Sequence, residues 1–294
     1  MQTRYVLITP ARNEELYIER TIVSVINQTI LPLKYIIISD GSTDHTDTIA
    51  KRYAAQYDFI EFVRRDGGNN ANFSSKVFAF NLGVDRLRGI PYDFIGNLDA
   101  DISLEPGYFE KILKKFEENP KLGIAGGQVW EDRHSSFHIL HTSLNSVAGA
   151  VMLFRRACYE AVGGYIPIAI GGEDTSAEIT ARARGWIVQM FTDIKVRHNK
   201  PLLSQSRNIL ESRFKQGMSN YILGYHPLFQ FFICIYRIAE KPVLIGSMYY
   251  WAGFCWAKLK RMDHSIAKDV IAYLRKEQLG RLADLVMFKK VKPL

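Results

Sequence analysis

The chain has 294 residues, 47% of them hydrophobic and 23% charged, enough for one large α/β domain or for one domain with a helical appendage, and not the composition of a disordered protein. Cys158, Cys234 and Cys255 stand far apart without a CxxC pair, which argues against a zinc site or a disulfide framework and suits a reducing compartment. Net charge is +8, and the whole excess lies beyond residue 200, where 15 Lys+Arg face 6 Asp+Glu; the first 200 residues hold 23 against 24. A basic region of that kind suits an anionic surface, either nucleic acid or acidic lipid.

Met1-Gln-Thr-Arg runs straight into a strand pattern without the basic and apolar regions of a signal peptide, so the catalytic part is expected in the cytosol. Arg4 to Thr9 is an apolar run of strand length, stopped by Pro10. Ala11-Arg12-Asn13-Glu14 then leads into a helix with Ile18, Ile22, Val25 and Ile26 at helical spacing, and Lys34 to Ser39 gives a second β-branched strand. Strand, helix and strand within forty residues predict a βαβ unit, a parallel sheet, and ligands at the carboxyl ends of its strands. No GxGxxG follows the first strand, which disfavours a dinucleotide oxidoreductase.

The second strand ends in Asp40-Gly41-Ser42-Thr43-Asp44, ahead of a helix to about Tyr57. Two readings stand side by side: a strand-to-helix connection with three good N-cap residues, and a site where Asp40 accepts hydrogen bonds from a base or ribose. A third strand, Asp58 to Arg65, leads to a Gly- and Asn-rich stretch ending at Lys76 and a helix through Leu87. That stretch either cradles phosphate or sugar or is a surface loop.

Tyr92 to Leu98 reads as a strand running directly into Asp99 and Asp101. In an extended chain these carboxylates share a face, and small Ala100 between them lets a ligand approach the backbone. Their repulsion is relieved by a hard divalent ion completed by substrate phosphates; a solvated turn is the alternative. A helix opened by Pro106 and closed before Pro120 follows, then a strand from Leu122 to Val129. His134, His138 and His141 have neither the spacing nor the neighbours of a zinc site, so a loop over the acceptor is expected there.

Val147 to Phe154 reads as a strand and Gly163-Gly164-Tyr165 as a turn; Gly171-Gly172-Glu173-Asp174 opens a helix, Ala177 to Gly185. Acids in a helix's first turn are favoured by its dipole, and the same field keeps a carboxylate ionised, as a general base must be. Trp186 to Phe191 is the last predicted strand, and His198 beyond it is a candidate ligand.

Taken together, Pro10 to Glu14, Asp40 to Asp44, Asp99-Ala100-Asp101, Gly163-Gly164-Tyr165, Gly172-Glu173-Asp174 and His198 resemble, in order and spacing, the motifs of family-2 glycosyltransferases of GT-A fold, over roughly residues 4–200. The resemblance implies an α/β fold with a Rossmann-like, mostly parallel central sheet and flanking helices. It implies that Pro10, Ala11, Arg12, Asn13, Glu14, Asp40, Ser42 and Asp44 form the nucleotide pocket. Lys76, Asp99 and Ala100 would lie by the ribose, sugar or phosphates, Asp101 would hold Mn²⁺ or Mg²⁺ with Asp99 and His198 assisting, and Asp174 would be the catalytic base with Glu173 beside it. Lys76, Ala79 and Asn81 follow the family's Lys-x-x-Ala-x-Asn outline, but the residues before them depart from its usual form, which leaves the donor sugar open.

Beyond a boundary at residues 203/204 the pattern is helical. Arg207 and Arg213 either contact a diphosphate or lie on a solvated helix face. The uncharged run Pro242 to Ala257 has 16 residues, short of the ~20 a membrane-crossing helix needs. Two readings follow: a helical hairpin at the interface of an anionic membrane, or a helical subdomain packed on the core. Lys258-Leu-Lys-Arg261 and Lys289-Lys-Val-Lys292 suit acidic lipid, whereas the clustered aromatics do not make a stacking platform for nucleic acid. The expected protein is a metal-dependent, inverting glycosyltransferase using a nucleotide-sugar, UDP-linked, on a glycan or lipid-linked acceptor at the cytoplasmic membrane face. A sugar-phosphate nucleotidyltransferase and a non-catalytic glycan- or lipid-binding protein are the alternatives.

Overall fold

The computed structural model describes residues 4–66, 73–133, 136–139, 143–200 and 209–286. Its first half alternates as expected: β1 (Tyr5–Ala11), α1 (Ile18–Ile26), β2 (Lys34–Asp40), α2 (Thr46–Ala54), β3 (Ile60–Arg65), α3 (Phe73–Arg86) and β4 (Phe94–Leu98). On β1, Tyr5 and Leu7 join the core formed with Ile18 and Ile22 of α1, while Val6 and Ile8 join the core on the other face with Val77 and Phe80 of α3. Both faces of the strand are therefore covered, which is why it reads as a continuous apolar run.

The remainder of the α/β layer comprises β5 (Ile102–Leu104), α4 (Tyr108–Glu118), β6 (Leu122–Arg133), β7 (Ser136–Ile139), β8 (Val151–Arg155), α5 (Arg156–Val162), α6 (Glu173–Ala183) and β9 (Ile187–His198). Strand order is β3-β2-β1-β4-β8-β6-β9-β5, with β7 paired to the far end of β6, from Trp130 to Arg133. The expected mostly parallel sheet is instead mixed: β8 runs antiparallel to both β4 and β6, β5 to β9, and β7 to β6. After β4 the chain builds β5, α4 and the β6–β7 hairpin before β8 returns between β4 and β6. A strand buried on both faces carries the same apolar run in either direction, so its sequence does not reveal that reversal.

β5 and β7, of 3 and 4 residues, are too short to establish a period, and α5 starts without a side-chain cap. The expected histidine loop is partly strand, since His138 pairs across from Glu131; His134 and His141 lie outside the described residues. His198 ends β9 rather than following the last strand.

Four helices complete the chain: α7 (Ile209–Ile222), α8 (Pro227–Tyr236), α9 (Ile245–Leu259) and α10 (Lys268–Val286). The 203/204 boundary, Arg207 and Lys289–Lys292 fall outside the described residues. α10 packs against α6 in a small third core in which Ile179 meets Val270, Ile271 and Leu274. Among the described residues no helix is long and apolar enough to cross a membrane.

α7 and α9 touch backbone to backbone. A Cβ on Gly217 would collide with the Tyr250 carbonyl oxygen, and one on Gly253 with that of Phe214. Helix propensity favours alanine over glycine by about 1 kcal/mol, yet here a methyl group must push two helices apart, at about 1–3 kcal/mol or more. Gly253→Ala is therefore expected to lower stability in urea unfolding, while Gly280→Ala on α10, where a Cβ meets nothing within 4 Å, raises it by about 0.5–1 kcal/mol. Stabilisation by both substitutions would contradict the close crossing.

Candidate active site

Two loops at the carboxyl ends of β1 and β2 are tied to each other. Asn13 takes a left-handed conformation, φ 54°, which asparagine tolerates better than most residues. From there its Oδ1 accepts from the Thr43 amide at 2.8 Å, and its own amide donates to Ser42 Oγ at 3.2 Å. The Glu14 amide donates to Thr46 Oγ1 at 2.8 Å, and that of Glu15 to Asp44 Oδ2 at 3.1 Å. Burial pushes the Asp44 carboxyl up, but hydrogen bonds from Thr46 and from the Glu15 backbone outweigh it and leave the group below its usual range. Asn13, Ser42 and Asp44 thus hold the pocket's walls together from behind.

In front of them Pro10, Ala11, Arg12, Glu14, Asp40, Lys76, Asp99, Ala100 and Asp101 line one cleft of about 250 Å³. Asp40 is buried and ion-paired with Arg65, with Arg12 Nη1 3.8 Å from its other oxygen. Glu14 Oε1 receives Lys200 Nζ at 2.7 Å, and Glu14 Oε2 is buried without a hydrogen-bond partner among the described residues. Burial raises the Glu14 pKa, opposed by Lys200 and reinforced by Asp101 and Asp99.

The Asp99–Asp101 segment is not the extended strand end that its alternation suggested. β4 stops at Leu98, and a turn closed by the Ile102 amide on the Asp99 carbonyl, 3.2 Å, separates the two carboxylates. Asp99 meets Lys76 Nζ at 2.7 Å and the Asn97 amide at 3.0 Å. Asp101 instead has His198 Nε2 3.6 Å from its Oδ2, and the His198 ring's Nδ1 lies against the Lys200 carbonyl. Burial, then Asp99, push the Asp101 carboxyl above its usual range, against the pull of His198 and the lysines. Its Oδ1 is buried and unpartnered among the described residues.

A crowded carboxylate with an orphaned oxygen and an imidazole beside it suits a hard divalent cation that the donor's own phosphates would complete. Among the described residues, no group of three or more His, Cys, Asp and Glu is arranged to hold a metal without such help.

Lys76 also faces a second, smaller pocket of about 20 Å³, lined with Phe80, Asn97, Gly149, Tyr165, Glu173 and Asp174. Gly171 and Gly172, both at positive φ, turn the chain into α6. Asp174 Oδ1 accepts from the Thr175 amide at 2.7 Å. Burial and then Asp174 raise the Glu173 pKa, so the two neighbouring acids differ in setting. Burial disfavours the charged form of Lys76, yet Asp99, with Glu173 and Asp174 behind it, lifts the amine above its ordinary value.

The model of glycosyl transferase family 2 matches residues 6–172. The chain belongs to this family. It is 32% identical over 113 residues to the chondroitin synthase of Pasteurella multocida strain Pm70, a match covering 38% of this chain and 11% of that protein. In structure it is similar to the mannosyltransferase PcManGT from Pyrobaculum calidifontis in complex with GDP-Man and Mn²⁺, with a TM-score of 0.57 at 16% identity, covering 99% of this chain and 84% of that one. It is likewise similar to S. aureus TarS in complex with UDP-GlcNAc, with a TM-score of 0.56 at 12% identity, covering 97% and 82%. At those identities the likeness is one of fold.

One residue expected at the site of this family-2 chain is elsewhere. Arg213 is bound by Glu240 at 2.6 Å within the helical layer, in a small hollow with Arg237 and Tyr250. Sequence reasoning missed Lys200, Arg65, Asn97 and Gly149. Lys200 had a usable signal, a cation just beyond the carboxyl end of a strand; the other three are recognisable only by what they touch.

Glu178 was also missed. It is buried on α6, one turn beyond Asp174, and accepts from the Val147 amide at 2.5 Å and from Ser146 Oγ at 2.9 Å. Burial raises its pKa to about 8, with Asp174 adding to the shift and Arg182, 3.9 Å away, opposing it. A carboxyl more basic in the folded than in the unfolded chain contributes stability that is full below about pH 4.5 and is lost as pH rises through about 8. Glu178→Gln keeps an acceptor but cannot ionise. The unfolding free energy measured in urea between pH 5 and 9 is expected to fall for the natural protein, by up to a few kcal/mol, and to fall less for the variant. Parallel curves would rule this out.

Proposed function

We propose that the chain is an inverting glycosyltransferase that takes its sugar from a UDP-linked donor and passes it to a hydroxyl of a glycan or lipid-linked acceptor in cell-surface polysaccharide synthesis. The observation that carries this reading is the position of Lys76, whose ammonium group joins the Asp99 side of the large cleft to the Glu173–Asp174 pocket. One compartment has the size and polar lining for a nucleotide diphosphate; the other has an acid for the acceptor. The names of the relatives, a chondroitin synthase and a TarS bound to UDP-GlcNAc, support the donor and the pathway class.

In this reading Asp40, with Arg12 and Arg65, meets the base and ribose, and Lys76 and Lys200 face the diphosphate. Asp101, with Asp99 and His198, would hold Mn²⁺ or Mg²⁺, which supplies Lewis-acid neutralisation of charge on the departing phosphate. The Mn²⁺ in the PcManGT complex supports that assignment. Asp174 takes the proton of the acceptor hydroxyl while that oxygen attacks the anomeric carbon from the side opposite the leaving group. Configuration at that carbon inverts in a single displacement.

General-base assistance of this kind is worth about 10²–10⁴ in rate. Asp174→Asn is expected to lose that factor in nucleoside diphosphate release while binding donor undiminished, and Asp101→Asn to weaken donor binding and its response to Mn²⁺. EDTA should abolish turnover. Release unaffected by Asp174→Asn would sink the base assignment, and release unaffected by EDTA the metal.

Gly149 offers a subtler test. A Cβ there would sit 2.5 Å from Asp174 Oδ2 and 3.0 Å from its Cβ, so Gly149→Ala displaces the carboxylate rather than the backbone. A 1 Å displacement of a reacting group is worth about 10²-fold in rate. Gly149→Ala should therefore lower kcat steeply with little change in thermal stability or donor affinity; a variant with full turnover would place the reacting acid elsewhere.

A further inference from the structure

α8 and α9 carry large apolar side chains on their outer faces as well as their inner ones. On α8, Leu228, Phe231, Phe232 and Ile235, spaced i, i+3, i+4 and i+7, are 47%, 46%, 44% and 45% exposed, while Gln230 is fully buried and accepts from Asn220 Nδ2 at 2.8 Å. α9 exposes Ile245, Met248, Tyr249, Trp256 and Leu259 on its outer side, while Gly246, Ser247, Tyr250, Gly253, Phe254 and Ala257 are buried. The Phe231 and Trp251 rings lie 5.9 Å apart, so the two apolar stripes adjoin. A helix on a water-facing surface turns its apolar stripe inward, and an apolar patch of this extent marks an interaction surface.

The charges around the patch are mainly basic. Lys241, Lys258, Lys260 and Arg261 are exposed at its ends, and Lys260 Nζ stands 4.9 Å over the Trp256 ring. From Pro227 to Asp263 five Lys and Arg stand against two acids, Glu240, engaged by Arg213 and Arg237, and the exposed Asp263. A second copy of this chain would bring the same basic rim against itself, with Asp263 alone beside Arg261 to set against Lys241, Lys258, Lys260 and Arg261. Acidic lipid headgroups answer it directly, and aromatic side chains beside lysines suit the headgroup zone. α9, at 15 residues, spans about 22 Å, short of the ~30 Å hydrocarbon core. The geometry suits lying on a bilayer rather than crossing it.

We propose that the outer face of α8 and α9 docks on an anionic lipid bilayer, with the apolar stripes at the headgroup boundary and the basic rim on the lipid charges. Docking is independent of the glycosyl-transfer reading, since it needs no donor and involves none of the cleft residues. It is coupled to them mechanically: α9 is locked to α7 through Gly253 and Gly217, and Ser219 of α7 donates to the Gly171 carbonyl at 3.1 Å, just ahead of Glu173 and Asp174. A docked α8–α9 pair thereby holds the acids of α6 in a set position over the membrane.

The test is flotation of the full chain with vesicles of phosphatidylcholine alone or mixed with phosphatidylglycerol, without nucleotide-sugar. Binding is expected only with phosphatidylglycerol, and salt should release it. Lys258→Gln and Lys260→Gln should each lower partitioning about fivefold, equivalent to about 1 kcal/mol. Phe232→Ser combined with Met248→Ser should lower it at least about tenfold; both sites are exposed, so helix content by circular dichroism and donor turnover should stay unchanged. Three results would each overturn the proposal: no binding to either vesicle, equal binding to both, or a dimer by light scattering that ignores vesicles and is split by the Phe232/Met248 variant.

Discussion

Like charges held close together are the condition on which this molecule is built. Glu14, Asp99, Asp101, Glu173 and Asp174 converge around one cleft and its side pocket, and Lys76 and Lys200 make contact with only two of them, each at 2.7 Å. Burial and mutual repulsion push Glu14, Asp101 and Glu173 above the ordinary carboxylate range. The strain is left on particular atoms, Asp101 Oδ1, Glu14 Oε2 and Glu173 Oε2, which are buried without partners among the described residues. Groups held in that condition are those whose protonation or cation binding responds to a ligand.

The walls of this cleft must be rigid if the repulsion is not simply to open it. In the β1–α1 and β2–α2 loops the amides of Asn13, Glu14 and Glu15 donate to Ser42, Thr46 and Asp44, the Thr43 amide donates back to Asn13, and Thr21 Oγ1 donates to the Ala100 carbonyl at 2.7 Å. On the far side the Asp99 amide donates to the Ala150 carbonyl at 2.8 Å, and Glu178 clamps Val147 three residues earlier. The family motif therefore divides by role: Asp40, Asp99 and Asp101 face the ligand space, while Asn13, Ser42 and Asp44 bind loop to loop.

Much of this was legible in the sequence, for a physical reason. In a sheet covered on both faces the strands are unbroken apolar runs, so the first polar residue after each run, Asp40 or Asp99, marks a carboxyl end where ligands gather. Strand direction, by contrast, leaves no trace in such a run, and the antiparallel entry of β8 was hidden. Spacing alone also misplaced the carboxylates: Asp99 and Asp101 looked like neighbours on an extended face, whereas a turn sends one to Lys76 and the other to His198. Arg213 shows the limit of motif reading. Its partner Glu240 is 27 residues away, in the helical layer and not at the cleft.

Hydropathy likewise flagged the apolar stretch of α8 and α9 without saying which way it faces, and the direction turns on small details. Gln230 goes inward because Asn220 is waiting for it, and Asn220 also donates to the Tyr250 hydroxyl at 2.5 Å, so a buried polar knot sits within the seam between α7, α8 and α9, beside Phe229 and Phe254. The glycines bring α7 and α9 into backbone contact, Tyr250 and Phe254 fill the space beside the crossing, and Phe231, Phe232, Met248 and Trp256 stand on the outer face. A buried polar network is costly unless every member is satisfied, and once satisfied it specifies a single arrangement. The orientation of the apolar face is thus set from within the helical layer, by groups that never reach its surface.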